Sequence, residues 1–170
     1  MTASPEDLFA YLDQLGIAHK TRWHEATFTV EEGRDLKATM PGGHTKNLFM
    51  KDKDGVIVLI SAHAESELKL NQLHKLIGTR RLSFASGELM EELLGVAPGS
   101  VTAFALMNDA AGKVRFIVDA ALMAFETVNF HPLVNTATTA ISRDGFRKFV
   151  EATGHDMTEV DFAALLPPGA

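Results

Sequence analysis

The chain has 170 residues, of which 46% are hydrophobic and 22% charged, and this composition excludes an intrinsically disordered protein. It contains no cysteine, which excludes disulfides and thiolate zinc sites. The formal net charge of -6 disfavours nucleic-acid binding through the whole surface, although it allows a local basic face. The amino-terminal residues lack a signal-peptide pattern and no apolar run is long enough to span a membrane, so we expect one cytoplasmic domain over residues 1–170.

Helix and strand signals alternate irregularly along the chain. Helices are predicted where a capping residue opens a stretch of helical period, and strands where short apolar runs lie between turn residues. In chain order, the predicted elements are a helix between Ser4 and Gly16, a strand over 17–24, a helix between Thr29 and Pro41, strands over 46–51 and 56–61, a helix between Asn71 and Gly78, a strand over 82–84, a helix between Ser86 and Gly95, strands over 101–106, 114–118, 126–130 and 137–141, a helix between Ser142 and Gly154, and a frayed tail at 167–169.

Two features of this order indicate the fold class. Asp54-Gly55 between two predicted strands is typical of a β-hairpin, and the unbroken apolar run over 56–60 predicts a strand in the centre of a sheet. The mixture of hairpins and helices favours a mixed α/β fold over a regular parallel doubly wound one. We therefore expect a curled mixed β-sheet approaching a barrel, surrounded by α-helices.

The segment 41–49, Pro-Gly-Gly-His-Thr-Lys-Asn-Leu-Phe, places a cation where a glycine-rich turn enters a predicted strand. Lys46 and the backbone N–H groups before it would suit a developing negative charge, either a phosphate or the oxyanion of an ester under attack. A surface lysine after a glycine turn explains the same residues equally well. The segment lacks the P-loop spacing, and the residues around Ser86 lack the spacing of a nucleophile elbow.

The seven histidines are scattered without the spacing of a metal-binding motif, which leaves open only a three-histidine site assembled in space. His131 precedes Pro132, which fixes the backbone there, so its ring could orient or deprotonate a water; a hydrogen-bonded structural histidine is the alternative. One region of this acidic chain concentrates positive charge, which indicates either a solvated helix face or an RNA contact. Its members are Lys69, Lys75, Arg80 and Arg81.

Three blocks together carry a family resemblance. They are Gly-His-Thr-Lys-Asn-Leu-Phe over 43–49, Gly-Val-Ala-Pro-Gly-Ser-Val-Thr over 95–102, and Phe-His-Pro-Leu-Val-Asn-Thr over 130–136. The chain resembles, over nearly its whole length, the YbaK and prolyl-tRNA-synthetase-associated editing family, and within it the free-standing alanyl-tRNA(Pro) deacylases. The resemblance implies a mixed α/β fold with a curled sheet, hydrolysis of the ester that joins a wrong amino acid to tRNA, and neither a metal nor a bound cofactor.

The resemblance also implies roles for individual residues. Lys46 resembles the family's essential lysine, Asn47 lies beside it as in the family, and His131 resembles the histidine of the alanine-directed branch. The loop that closes the aminoacyl pocket in the family has the pattern Gly-x-x-x-Pro. The residues predicted to contact the substrate are Gly95, Val96, Ala97, Pro98, Gly99, Phe49 and Leu133. Ala103 departs from the family, where many relatives carry a proline, and this change would loosen the start of the predicted strand.

The expected reaction is attack of water on an aminoacyl ester without a covalent enzyme intermediate, since the sequence offers no cysteine, elbow serine or metal motif. Lys46 would stay protonated and stabilise negative charge, and pocket size would exclude a prolyl group. The expected partner is mischarged tRNA(Pro), foremost Ala-tRNA(Pro), and prolyl-tRNA synthetase or an elongation factor is a further candidate partner; neither DNA nor a membrane is expected. Two other classes stay open, a non-catalytic tRNA- or synthetase-binding module and a small aminoacyl-ester hydrolase that needs no tRNA.

Overall fold

The computed structural model describes residues 2–26 and 30–166, so the predicted cap at Thr29 and the predicted tail at 167–169 lie outside the described residues. The helices in this part of the chain are α1 (Pro5–Gln14), α2 (Val30–Thr39), α3 (Leu73–Ile77), α4 (Gly87–Leu94) and α5 (Arg143–Ala152). The strands are β1 (His19–Trp23), β2 (Gly43–Lys51), β3 (Ile57–His63), β4 (Ser83–Phe84), β5 (Val114–Asp119), β6 (Thr127–Phe130), β7 (Ala137–Ser142) and β8 (Thr158–Val160). Short 3-10 turns cover Leu70–Gln72, Ala103–Asn108, Leu122–Ala124 and Phe162–Leu165. None of the described helices is long and apolar enough to cross a membrane.

The strands form one mixed sheet in the order β1-β7-β6-β2-β3-β5-β8, and β4 pairs with β2 beside this path. The path begins at β1 and ends at β8, so the sheet stays open. Strand β3 lies between β2 and β5, and its residues Val58, Leu59 and Ile60 are fully buried, which confirms the predicted central strand. The mixed α/β fold, with helices flanking a mixed sheet, is confirmed.

Strand β2 joins the two halves of this sheet. Its first two residues, Gly43 and His44, pair in parallel with Val128 and Asn129 of β6, and residues 45–51 pair antiparallel with β3. No register pair joins β2 to β6 beyond His44 and Asn129, so the two parallel strands separate at that point. We call this place the β2–β6 fork.

Buried side chains form two clusters, and side-chain alternation along β2 contributes to both. Phe49 belongs to the larger cluster, which includes apolar residues of α1, α4 and α5. Met50 belongs to the smaller cluster, which includes Leu73 and Ile77 of α3. The strand is therefore held by apolar packing on both faces, and this packing fixes the position of the fork at its amino-terminal end.

Two strand predictions differ from the structure. The predicted strand over 101–106 is wrong, because Ala103–Asn108 form a 3-10 turn that the Thr102 hydroxyl caps by accepting a hydrogen bond from the N–H of Phe104. A short apolar run that is buried all round has no period by which a strand can be recognised. Ala103 occupies the first position of this turn, where proline is well tolerated, so its departure from the family pattern loosens no strand. Strand β8 was not predicted, because it is a short edge strand with mostly exposed residues.

Gly42, which leads into β2, requires a glycine on two grounds. Its φ is +112°, and a Cβ at this position would lie 2.4 Å from the backbone oxygen of Thr127. We expect Gly42→Ala to lower the free energy of unfolding by about 2–5 kcal/mol, since backbone strain and a backbone clash add together. Urea unfolding measures this loss.

Gly55→Ala is the matched control for this prediction. Gly55 has a φ of +86° and nothing within 4 Å of an added Cβ, so only the backbone strain of about 1–2 kcal/mol is expected. Equal losses in the two variants would show that the approach of Gly42 to Thr127 does not matter.

Candidate active site

A cavity of about 510 Å³ opens at the β2–β6 fork. His44 and Thr45 of β2 and Asn129 and Phe130 of β6 line it where the two strands separate, and His131 follows directly after β6. Ligand sites are common where neighbouring parallel strands of a sheet diverge, because the backbone there leaves a crevice. The strand register therefore creates the cavity, and the side chains define its chemistry.

Helix α2 forms the opposite wall of this cavity and makes it cationic. Arg34 and Lys37 line the cavity from this helix, and none of the described lining residues carries a carboxylate. Lys37 pairs with Glu65 at 3.2 Å, and this hydrogen bond and the charge of Lys37 lower the pKa of Glu65. Because Glu65 neutralises part of the charge of Lys37, the positive charge that this wall offers to an anionic group such as a phosphate comes mainly from Arg34.

His131 presents a neutral imidazole to the cavity. Its Nδ1 lies 2.9 Å from the carbonyl oxygen of Ala137, and because a carbonyl can only accept, Nδ1 carries the proton. Burial lowers the pKa of His131 below 6.5, with a smaller contribution from the nearby ring of His24, so the neutral form dominates at pH 7. In this form Nε2 is unprotonated and can accept a proton.

His44 is a second titratable group in the cavity. Its Nε2 lies 2.8 Å from the carbonyl oxygen of Met40, and burial lowers its pKa below 6.5 despite this bond. The charges of Lys37 and His63 act in the same direction. The described residues contain no group of three or more histidine, aspartate or glutamate side chains that could hold a metal ion.

Lys46 lies beside the cavity and is not among the residues that line it. Its ammonium group donates a hydrogen bond to the carbonyl oxygen of Ser66, two residues after Ala64, which does line the cavity. Its charge also contributes to the lowered pKa of Glu65. The ammonium is therefore adjacent to the cationic wall, and it must leave Ser66 to contact a ligand in the cavity.

Asn47 follows Lys46 and points to the other face of β2, as strand alternation requires. Its Oδ1 accepts a hydrogen bond from Ser61, and its Nδ2 lies 3.4 Å from the hydroxyl of Thr45. Thr45 in turn lines the cavity and donates to the carbonyl oxygen of Asn129 at 2.8 Å. Asn47 is thus connected to the cavity through one hydroxyl group.

Known proteins with similar sequences identify the family of this chain. The family model described as aminoacyl-tRNA editing domain matches residues 24–149. The chain belongs to the aminoacyl-tRNA editing domain family. The predicted resemblance is therefore confirmed, and the match includes the fork, helix α2 and the His131 loop.

Relatives cover nearly the whole of this editing domain. A Xenopus laevis protein named prolyl-tRNA synthetase associated domain-containing protein 1 is 37% identical, with 92% of this chain and 96% of the relative covered. The prolyl-tRNA editing protein ProX of Acetoanaerobium sticklandii is 30% identical over 91% and 94% of the two chains. A crystal structure of a candidate trans-editing enzyme for prolyl tRNA synthetase superposes with a TM-score of 0.69 at 19% identity, covering 95% and 98%, which shows that the fold is shared.

The structure brings the second and third sequence blocks of the editing domain together. Gly95 ends α4 with a left-handed backbone, and Pro98 of the same loop packs against Gly87 at the start of that helix. A Cβ at Gly99 would lie 3.6 Å from Nδ2 of Asn135, in the loop that follows His131. The Gly-x-x-x-Pro loop therefore lies against the histidine loop, with Ala97, Pro98 and Gly99 exposed.

Three of the predicted pocket residues are core residues of the editing domain. Phe49, Val96 and Leu133 are at most 7% exposed and belong to the larger buried cluster. None of them is among the residues that line the cavity, but Phe130 of the same cluster is. Contact of these three residues with a substrate stays a prediction.

Two of the predicted RNA-binding residues, Arg80 and Arg81, lie far from the cavity along β2. Arg80 and Arg81 precede β4, which pairs with the carboxyl-terminal end of β2 at Lys51. The length of strand between Thr45 and Lys51 corresponds to about 20 Å. Arg80 pairs with Asp54 at 3.3 Å, so part of its charge is neutralised.

Several residues of the cavity were missed in the sequence. Arg34 and Lys37 have the pattern of an ordinary exposed helix face, so their charge carries no distinguishing signal. Asn129 does carry one, because an amide between Val128 and Phe130 in an apolar strand must find partners when it is buried. Thr138 was missed because strand β7 contains several threonines that look equivalent.

Proposed function

We propose that this editing domain hydrolyses the ester bond of mischarged tRNA(Pro), with Ala-tRNA(Pro) as its preferred substrate. The observation that carries the proposal is the cavity at the β2–β6 fork, which combines a cationic wall with a half-buried histidine whose pKa is lowered. The family match and the similarity to the prolyl-tRNA editing protein ProX support the same activity class and the same tRNA.

In the proposed reaction, the terminal nucleotide enters along α2, where Arg34 and Lys37 attract its phosphate. Water attacks the ester carbonyl carbon, and His131 Nε2 orients this water and takes its proton. The proton then passes to the ribose oxygen as the ester bond breaks, which releases the free amino acid and a tRNA with a free terminal hydroxyl. His131 returns to its neutral form after each turnover.

Lys46 is proposed to stabilise the negative charge that develops in this reaction. Its ammonium would exchange the Ser66 carbonyl for the oxyanion or the adjacent phosphate once the substrate is bound. Asn47 would keep the Thr45 hydroxyl in place, and the loop over 95–99 would face the aminoacyl group. Each of these roles rests on the family resemblance and on the proximity of these groups to the cavity.

Selection among amino acids is proposed to depend on size. Phe130 lines the cavity and packs in the same buried cluster as Phe49, Val96 and Leu133, so the wall behind it cannot yield easily. A close-packed wall rejects a larger group more strongly than it favours a smaller one. Proline, which is larger than alanine, would therefore be excluded.

The function is tested by incubating the protein with tRNA(Pro) charged with alanine, cysteine, serine or proline, and with an alanine ester that lacks tRNA. We expect Ala-tRNA(Pro) to be deacylated fastest and Pro-tRNA(Pro) to be spared. No turnover of any substrate, with tRNA binding retained, would indicate a binding module. Equal turnover of the alanine ester without tRNA would indicate a general aminoacyl-ester hydrolase.

The basic region is proposed to bind the acceptor stem of the tRNA. Lys69 and Arg80 pair with Glu67 and Asp54, so Lys75 and Arg81 are the better candidates for binding phosphates. We expect a double change to Gln at positions 75 and 81 to weaken tRNA binding. It should also reduce the salt slope, which is the slope of the logarithm of the binding constant against the logarithm of the salt concentration, by about 1 for each phosphate that is no longer neutralised. Binding titrations at several salt concentrations measure both effects.

The control for this prediction changes Lys20 and Lys113 to Gln. This variant has the same net charge, but the changes lie on β1 and just before β5, each separated from β4 by at least two strands of the sheet. If the salt slope falls equally in both variants, net charge alone explains the effect and the proposed RNA-binding surface is wrong.

A further inference from the structure

We propose that Asn129 Oδ1 is the acceptor that binds the α-ammonium group of the aminoacyl substrate. This inference rests on the proposed deacylase function and adds a substrate-binding residue together with a chemical requirement on the substrate. It predicts that the editing domain distinguishes a free α-amino group from a blocked or absent one.

The first observation is an unpaired polar atom at the fork. Asn129 is 1% exposed, lies on β6 and lines the cavity. Its Oδ1 has no hydrogen-bond partner among the described residues. A buried acceptor without a partner is costly, and such atoms in native proteins call for an explanation such as a ligand.

The orientation of the Asn129 amide follows from its other contacts. Its Nδ2 faces the carbonyl oxygens of Pro41 and Gly43, both at 3.4 Å. Because carbonyl oxygens only accept hydrogen bonds, the amide nitrogen must be the atom that faces them. Oδ1 is consequently the side-chain atom of this lining residue that remains without a partner, and because Asn129 is 1% exposed, a ligand reaches it only when neighbouring side chains shift.

The chemistry of an aminoacyl ester selects the partner of this oxygen. The two ester oxygens can only accept hydrogen bonds, so neither can pair with Oδ1. The α-ammonium group is the donor of an alanyl group, and a charged donor forms a stronger bond than a neutral one. The described lining residues carry no carboxylate that would compete for this ammonium.

The position of Asn129 agrees with this assignment. Arg34 and Lys37 lie on the α2 wall, where the terminal phosphate of the tRNA is proposed to bind. Asn129 lies on the strand side, next to the buried ring of Phe130, so the amino acid that extends beyond the phosphate would reach it. A neutral amide oxygen binds an ammonium there without neutralising the cationic wall.

A consequence is that substrates with a blocked amine should be spared. An N-formylated aminoacyl-tRNA or a peptidyl-tRNA has no α-ammonium to pair with Oδ1. Such substrates would leave the oxygen buried and unpaired, which disfavours their binding and their transition state. The domain would then edit charged tRNA while leaving acylated products intact.

The experiment compares alanyl-tRNA(Pro) with propionyl-tRNA(Pro), which has the same carbon skeleton and lacks the amine. The enzymatic rate for each ester is divided by its uncatalysed hydrolysis rate, because the ammonium also activates the ester chemically. We expect the wild-type enhancement to be about 10- to 100-fold larger for the alanyl ester, the range of a hydrogen bond to a charged group. Equal enhancements would overturn the proposal.

Two variants assign this preference to Asn129. Asn129→Leu removes the acceptor, so the alanyl preference should fall to about one. Asn129→Asp loses the amide donors as Leu does but keeps an acceptor oxygen, so it should retain the preference. If Asn129→Leu lowers the rate enhancement for both esters by the same factor, the residue acts on the water or on the structure and the proposal is wrong.

Thr45→Val is the matched control in the cavity. The Thr45 hydroxyl already donates to the carbonyl oxygen of Asn129, so its removal should change the rate enhancements for both esters by the same factor. Thermal unfolding checks each variant, and if the Asn129 variants do not fold, the wild-type comparison of the two esters decides. A wild-type protein that hydrolyses neither ester contradicts the proposed function itself, a result distinct from equal enhancement.

Discussion

Lys46→Ala is expected to lower kcat/KM for Ala-tRNA(Pro) deacylation by about 100- to 1000-fold, the loss typical of removing a donor that stabilises a developing oxyanion. The ammonium donates to the carbonyl oxygen of Ser66 beside the cavity, and the proposed role requires it to exchange this partner for the substrate. Single-turnover deacylation measures the loss, and urea unfolding shows whether the fold is retained.

Two further variants make the Lys46 result specific. Lys113→Ala removes the same charge on the surface just before β5 and should keep near wild-type turnover. Lys46→Arg keeps the charge but changes its geometry, so it should be faster than Lys46→Ala and slower than the wild type. Near wild-type turnover in Lys46→Ala would refute the role of the lysine and leave His131 as the main catalytic candidate.

His131→Asn is expected to lower kcat by about 100- to 10,000-fold, the range for loss of a general base. Asparagine can still donate to the carbonyl oxygen of Ala137, so the loop should remain in place. Because burial lowers the pKa of His131 below 6.5, the wild-type rate should fall as the pH drops through this lowered pKa. The plateau should begin near pH 6.5 and end where the substrate's α-ammonium loses its proton, at an ordinary α-amino pKa of about 7.7–8.0. The variant should lack the fall at low pH.

His44 is the competing explanation for such a profile, since its pKa is also lowered by burial. His44→Asn should retain the acid limb if His131 is the base. His19→Asn on β1 is a surface control that should keep the wild-type profile. An unchanged acid limb in His131→Asn would contradict its role as the base.

The helices and the sheet class could be predicted because their signals are local. Ser4, Ser86 and Ser142 each cap a helix by accepting a backbone hydrogen bond three residues on, as the sequence predicts. Apolar runs likewise mark β3 and β5. These signals depend on neighbours in sequence, so one chain is sufficient to recognise them.

The cavity could be predicted only in part. His131 was found through its block, and its tautomer and lowered pKa depend on Ala137 and on burial, which require coordinates. Lys37 enters the cavity because α2 approaches β2, and no local pattern reports such an approach. For the same reason, the sequence could not show whether Phe49 belongs to the core or to the pocket, because an apolar residue has the same sequence pattern in both places.

The β2–β6 fork has a consequence for how such a domain can diversify. Its opening is made by backbone pairing that stops after His44 and Asn129, so the space survives when the surrounding side chains change. Thr45, Phe130 and Thr138 border this space from strands or strand ends held in the sheet. If the cavity selects the amino acid as proposed, exchanges at these positions would change which amino acid is accepted while the scaffold stays constant, and one ancestor could give rise to editors of different residues.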